Sequence, residues 1–269
     1  MFDSHCHLDA DAYAADRTQV LARAVAAGIS GILLPARGPD SWPNVIQLCR
    51  EARFLHGALG LHPWFLQGLT PAQREAALAQ LATRAKEPGV VAIGECGLDG
   101  VVAKRGGPSL AQQREVLEAQ LDIASALSLP VILHCVRAHG MLLELLTRRP
   151  MLPRGGVLHS YSGSAELIPR YAQLGLYFGF AGVITREQAK KPRQALVGVP
   201  ESRLLLESDG PDQPPAGALR SEPAQLPALL VTASQLRDTS PDLLARATTV
   251  NACRLLQLAA PPPAAPSSC

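Results

Sequence analysis

Met1-Phe2-Asp3-Ser4-His5-Cys6-His7-Leu8-Asp9 puts two histidines one residue apart directly after a short apolar start. In an extended strand, residues two apart point to the same side. His5 and His7 then project together as a pincer that one cation can bridge, and Cys6 points away. Alone, such a pair is weak evidence, because it also arises by chance or as a surface pair. What decides the fold is whether other strands end the same way.

Seven further apolar runs follow the first. Together the eight cover 1–5, 31–35, 55–61, 90–95, 131–134, 156–159, 176–180 and 204–208, and their starts are spaced by 20 to 41 residues. Most steps leave room for one helix and two loops, the size of a βαβ unit. The intervals carry helix-start signals. Thr70-Pro71-Ala72-Gln73 offers a capping hydroxyl, a proline at the first helical position and a glutamine able to reach back. Ser109-Leu110-Ala111-Gln112 repeats that box, and Leu117, Leu121, Ala124 and Leu127 then mark one helical face. Ser240-Pro241 starts a last helix. Eight parallel strands alternating with helices close most economically as an α/β barrel, the (β/α)8 TIM barrel, over residues 1–258. An open doubly wound sheet is the alternative. The Pro/Ala-rich stretch 259–269 is expected to be a disordered tail.

Parallel strands are buried on both faces and should be apolar, yet several of these run into groups that bind metals. Strand one leads to His5 and His7, strand four to Glu95, strand five to His134, strand six to His159 and strand eight to Asp209. In a barrel those ends share one face, where catalytic groups lie. Each has an ordinary reading on its own: a hydrogen-bonded core histidine, a buried ion-pair partner, or a turn aspartate before Gly210-Pro211. Six such groups at the ends of one barrel are hard to obtain from independent accidents. Imidazole and carboxylate donors suit Zn²⁺, Mn²⁺ or Mg²⁺. The same alternation turns Cys96 and Cys135 away as packing residues. His56 begins its strand and belongs to the opposite face, and His139 reads as a helix residue.

The net charge of +2 neither demands nor excludes a nucleic-acid partner. No apolar run approaches a membrane span, and residues 1–4 have neither the basic start nor the apolar run of a signal peptide. The six cysteines are scattered without a CxxC pair, so reduced thiols in a cytoplasmic enzyme are expected, with no disulfide-linked partner. A monomer is the expected state.

Six motifs, in order, resemble the TatD family of metal-dependent hydrolases. They are Asp3-Ser4-His5-Cys6-His7, Gly60-Leu61-His62-Pro63, Ile93-Gly94-Glu95-Cys96-Gly97-Leu98-Asp99, Pro130-Val131-Ile132-Leu133-His134, His159-Ser160-Tyr161-Ser162-Gly163-Ser164 and Leu205-Leu206-Glu207-Ser208-Asp209-Gly210-Pro211. The resemblance runs from residue 1 to about 257 and implies two divalent metal ions. His5, His7, Glu95 and Asp209 would hold one, and Glu95, His134 and His159 the other, with Glu95 bridging. Asp209 would orient a water or accept its proton, and Glu207 would support the site from behind. His62 is either a substrate contact or a structural histidine before Pro63. Arg220 with Glu222-Pro223 is similar to an Arg-Asn-Glu-Pro motif of the family, with Ser221 in place of Asn.

The implied activity is that of a 3′-5′ exodeoxyribonuclease on single-stranded DNA. Alternatives are hydrolysis of a small phosphoester, a lactone or an aminoacyl-RNA ester, since one metal pair serves all of these. A non-catalytic metal-binding scaffold is disfavoured, because it would have no need of the whole ligand set. Residues 100–107 lack the aromatic residues common there in the family, and overall aromatic content is 4%. Lys104 and Arg105, in a glycine-rich loop, could touch phosphates, though a solvated loop is the more common explanation of such a pair.

Overall fold

In the computed structural model, which describes residues 1–259, all eight apolar runs form parallel strands. Their order is β1 (Phe2–Asp3), α1 (Arg17–Ala26), β2 (Gly31–Pro35), α2 (Trp42–Glu51), β3 (Leu55–Leu59), α3 (Pro71–Arg84), β4 (Val90–Asp99), α4 (Gly100–Lys104), α5 (Leu110–Leu127) and β5 (Val131–Val136). There follow α6 (His139–Thr147), β6 (Gly156–Leu158), α7 (Ile168–Gln173), β7 (Leu176–Phe180), α8 (Lys190–Gly198), β8 (Leu204–Leu206), α9 (Leu226–Arg237) and α10 (Pro241–Leu256). Each strand pairs with the next in sequence. The first and last are joined by Ser4 N to Leu206 O, Asp209 N to His5 O and His7 N to Gly210 O. The sheet therefore closes as a barrel, not as an open doubly wound sheet. Of the expected tail, only residue 259 lies within the described residues.

Alternation sorts the strand side chains into two apolar clusters. Phe2, Leu33, Ala58, Ala92, Ile132, Val157, Tyr177 and Leu205, one from each strand, fill the barrel interior, and Ala252, Cys253, Leu255 and Leu256 of α10 pack beneath them. Their strand neighbours, such as Leu34, Leu59, Leu133, Leu158 and Leu206, pack outward against the helices. Thr70 and Ser109 both cap through complete capping boxes, whereas the Ser240 side chain makes no cap bond. Leu117, Leu121 and Ala124 are buried as their spacing predicts, and Leu127 is half-buried.

Two details differ from the sequence reading. The first strand is regular only over Phe2–Asp3 and continues toward His7 through the separate bonds just named. Residues 100–104 form a short helix instead of a loop, because Asp99 Oδ1 accepts from the backbone N–H groups of Val101 and Val102. One face of α5 also completes two strand ends. Gln120 Oε1 accepts from Leu61 N and its Nε2 donates to Leu61 O, while Gln113 makes the matching pair with Asp99. These buried amides satisfy backbone that has outrun its neighbour strand, and so hold the segments bearing His62 and Asp99.

Candidate metal centre

Glu95 faces the barrel mouth because β4 contains a bulge. Counting from the inward Ala92, strict alternation would send Glu95 outward. The register to β5 shifts between Ile93 and Cys96: Ile93 pairs with Val131 and Cys96 with Leu133, three steps against two. The extra residue re-aims Glu95 inward and leaves Cys96 outward. Gly94 sits in the bulge at φ +143°, where a side chain would run into the Ile132 backbone.

The two oxygens of Glu95 meet different imidazoles. Oε2 lies 3.4 Å from both His5 Nε2 and His7 Nε2. Oε1 lies 2.9 Å from His134 Nδ1, 2.8 Å from His159 Nε2 and 3.2 Å from His62 Nε2. Asp209 Oδ1 joins the first set, 3.7 Å from His5 Nε2. All six strand-end residues therefore converge, together with His62, and all are buried. His56 lies at the other end of the barrel, stacked on Phe2.

Second partners select which nitrogen of each ring carries a lone pair. His7 Nδ1 is 2.9 Å from Pro35 O. A carbonyl only accepts, so Nδ1 holds the proton and Nε2 is free to ligate. His134 Nε2 faces Asp99 Oδ2 at 3.3 Å, which frees Nδ1 toward Glu95. His159 Nδ1 looks toward Glu207 Oε1 at 3.9 Å, leaving Nε2 in the cluster. Glu207 is buried behind His159 and accepts from Ser4 Oγ at 2.9 Å and Ser160 N at 2.5 Å. Gly179 makes room for that carboxylate, which any side chain there would overlap. His62 has the opposite polarity. Its Nδ1 accepts from Trp64 N at 3.2 Å, so its Nε2 bears the proton and donates to Glu95. It is both the cap of the turn that follows and a member of the cluster.

Burial opposes charge on every one of these groups, and the neighbours decide the outcome. Glu95, despite complete burial, is held well below the usual carboxylate range by His159, His62 and His134. Burial works against a proton on His7, but Glu95, Asp209 and Asp9 push it up to about 9. His134 reaches about 9 in the same way through Asp99 and Glu95. Burial raises Glu207 to about 8.

The donor set fits divalent cations. Two nitrogens each about 2.1 Å from a tetrahedral Zn²⁺ stand roughly 3.4 Å apart. His5 Nε2 and His7 Nε2 are 3.3 Å apart, and His134 Nδ1 and His159 Nε2 are 3.2 Å apart. His5, His159 and Asp209, and separately His5, His7 and Glu95, bring ligand atoms within 4.8 Å of one another. The cluster of His62, Glu95 and His134 meets the same distance, but the His62 tautomer makes that histidine a donor to Glu95 rather than a ligand.

A cavity of about 490 Å³ opens over the cluster. Its lip carries Arg37 and Lys191, both exposed and neither ion-paired among the described residues. Three contributors escaped the sequence reading. Asp99 follows Glu95 by four residues on one strand, a period-2 signal that was available. Gln213, whose Nε2 donates to Asp209 Oδ2 and Ser160 Oγ at 2.5 Å each, and Trp64, whose Nε1 donates to Asp99 Oδ2 at 2.8 Å, lie in loops and gave no periodic signal. Lys104 and Arg105 do not line the cavity. Arg220 instead pairs with Asp16 and lies over the Tyr13 ring, and Tyr13 donates to Ser221 O, so that motif fastens a loop to α1.

A parallel barrel with a carboxylate between two histidine sets at the strand ends defines a metal-dependent hydrolase of the TIM-barrel type. The same fold occurs in the Escherichia coli phosphotriesterase homology protein, with TM-score 0.65 at 13% identity over 96% of this chain and 97% of that one. The family model for TatD related DNase matches residues 2–257, and the chain belongs to that family. It is 36% identical over 249 residues to the uncharacterized metal-dependent hydrolase YjjV of Escherichia coli, covering 91% of this chain and 93% of the relative. The crystal structure of YjjV superposes with TM-score 0.88 over 96% of this chain and 98% of YjjV. The 3′-5′ ssDNA/RNA exonuclease TatD of Salmonella typhimurium is 34% identical over 267 residues, 96% of this chain and 99% of that one. Among the described residues, no helix is long and apolar enough to cross a membrane, and Cys6, Cys49, Cys96, Cys135 and Cys253 are free thiols.

Proposed function

We propose that this enzyme hydrolyses phosphodiester bonds of single-stranded DNA from the 3′ end, using two divalent cations drawn from Mg²⁺, Mn²⁺ and Zn²⁺. The observation that carries the reading is the division of Glu95, with Oε2 turned to His5 and His7 and Oε1 to His134 and His159. A carboxylate so divided could serve two cations. His5, His7, Glu95 and Asp209 would hold one, and Glu95, His134 and His159 would hold the other. When bound, the pair supplies Lewis-acid polarisation of the phosphoryl group and activation of water near neutral pH.

The chain's own residues do the remainder. Asp209 is aimed by Gln213 and by its bond network to Ser160, and it orients the attacking water and takes its proton. His62 lines the cavity with its Nε2–H on Glu95 Oε1, and would turn that N–H to a phosphate oxygen of the substrate once cations take up the Glu95 oxygens. Arg37 and Lys191 draw the polyanion to the lip. Pro35 O and Asp99 fix the His7 and His134 rings, as outer partners of metal-bound histidines do, and Glu207 lies behind His159. The free thiols accord with a reducing, cytoplasmic setting.

Purified protein with Mg²⁺ or Mn²⁺ is expected to shorten 5′-labelled single-stranded DNA stepwise, and Glu95→Ala to leave it intact. Intact DNA alongside turnover of small esters would transfer the activity to another ester. Metal bound without turnover of any substrate would leave a scaffold. Elemental analysis should find His5→Ala short of metal, and unchanged content there would remove the pincer assignment.

A further inference from the structure

We propose that Trp64 is the platform on which a nucleobase of the single-stranded substrate stacks, a role that rests on the nuclease reading above. The two tryptophans differ sharply. Trp42 is buried with its N–H on Gly60 O, whereas Trp64 is 52% exposed and lines the cavity over the cluster. The other large apolar side chains that reach solvent, such as Val25, Met151 and Leu219, lie away from this cavity as isolated residues, which is ordinary for a protein surface.

Trp64 is exposed but not loose. Its Nε1 donates to Asp99 Oδ2 at 2.8 Å, and its backbone N–H donates to His62 Nδ1 at 3.2 Å. Its ring stands edge-on to His62 with centroids 4.8 Å apart, at an interplanar angle of 83°. An indole needs no such fixing merely to face water. Fixing it costs side-chain entropy in advance, and a ligand that stacks on it then meets a preset surface.

The location matches a nucleotide. A single imidazole, that of His62, separates the indole from Glu95, so a phosphodiester at the cluster leaves its base within reach of the ring. The segment after Asp99 has no aromatic residue and turns away as α4. Trp64 therefore supplies, from the β3 side of the mouth, the ring that this segment lacks. Base–aromatic stacking tolerates any base and suits an exonuclease that must accept each nucleotide in turn. Asp99 makes the platform and the cluster one unit, since the same Oδ2 faces Trp64 Nε1 and His134 Nε2.

The test is a cycle on the cation-loaded enzyme. Oligothymidylate is compared with oligonucleotides lacking the base at the 3′-terminal or the penultimate position. In wild type, removing the stacked base is expected to lower kcat/KM by about 5- to 150-fold, mostly through KM. Trp64→Ala should lose a similar factor on the complete oligonucleotide and then be indifferent to the abasic position, within about twofold. Trp64→Phe, which keeps a ring, should recover most of the loss.

A Trp64→Ala enzyme equally impaired on complete and abasic chains would overturn the platform and make the residue merely structural. If wild type leaves the DNA intact, the nuclease reading fails by that result alone. The platform is still decided there by fluorescence. Quenching by oligothymidylate that vanishes in Trp64→Phe and with an all-abasic chain supports it, and quenching that survives in either case sinks it.

Discussion

His134 follows Ile132 by two positions on β5, as His159 follows Val157 just past β6 and Glu207 follows Leu205 just past β8, and over that step the barrel interior changes from hydrocarbon to titratable groups. Both layers are buried, and the same strands carry both. The lower layer needs only matching volume, and burying each of its larger side chains stabilises by about 1.5–3 kcal/mol. The upper layer places carboxylates and imidazoles where water cannot reach all of them, which is unfavourable unless each is paired. The pairing is supplied from outside the ring by Pro35 O, Asp99, Ser4, Ser160 and Gln213. Stability is thus concentrated below and chemistry above, and substitutions should separate the two.

The largest effect expected is at Glu95. Glu95→Ala removes the one group that faces both histidine sets, and kcat/KM should fall at least about 10³-fold, several kcal/mol of transition-state stabilisation. The far-UV spectrum should be retained, because the lower layer is untouched. Residual turnover within tenfold of wild type would break the division. Ile132→Ala is the converse. It opens a cavity in the lower layer and should cost about 2–5 kcal/mol in urea unfolding. Activity at 25 °C should stay within about threefold of wild type if the two layers are independent. A collapse of turnover in this variant would show that packing below sets the geometry above.

The convergence of the six ligand-type residues was legible because strand ends are a local property. His134 and His159 follow apolar runs directly, and a closed parallel sheet has one C-terminal face. The orientation of Glu95 was less so. Its inward aim needs the bulge between Ile93 and Cys96, a non-local feature set by pairing with β5 that simple alternation misses. Asp99 was visible as a residue but not as a support, since its partners come from elsewhere in the chain, Trp64 from the loop after β3 and His134 from β5. The helix over 100–104 depends on the Asp99 cap prevailing over a Gly- and Val-rich run of poor intrinsic helix propensity.

Protons sharpen the contrast within the upper layer. Burial opposes charge on His7 and His134, yet their carboxylate neighbours bring both to about 9. In the folded, cation-free protein at pH 7 both therefore carry a proton that a cation must displace. The sign follows. Each site displaces one such proton, so the apparent affinity of each should rise with pH by up to about tenfold from pH 7 to 8 and level off above 9. Titration in weak buffer with a pH indicator should record proton release on cation uptake. An affinity flat from pH 7 to 9 would mean that these rings bind no cation or are already neutral.

The smallest effect falls on the support. Asp99→Asn keeps an oxygen able to cap α4 through Val101 and Val102. It turns an NH₂ group toward Trp64 Nε1 and His134 Nε2, both N–H donors in the native arrangement. Donor then faces donor. His134 can relieve the conflict by moving its proton to Nδ1, which removes the lone pair aimed at the cluster. Affinity should drop about 10- to 100-fold, the usual range for losing such an outer partner. Only the cation on the His134–His159 side should weaken, so calorimetric titration should resolve one unchanged and one weakened site. Asp99→Ala should also lose the cap and lower thermal stability, by about 0.5–2 kcal/mol. If Asn weakened both sites equally, Asp99 would be acting through the whole barrel mouth and not through His134.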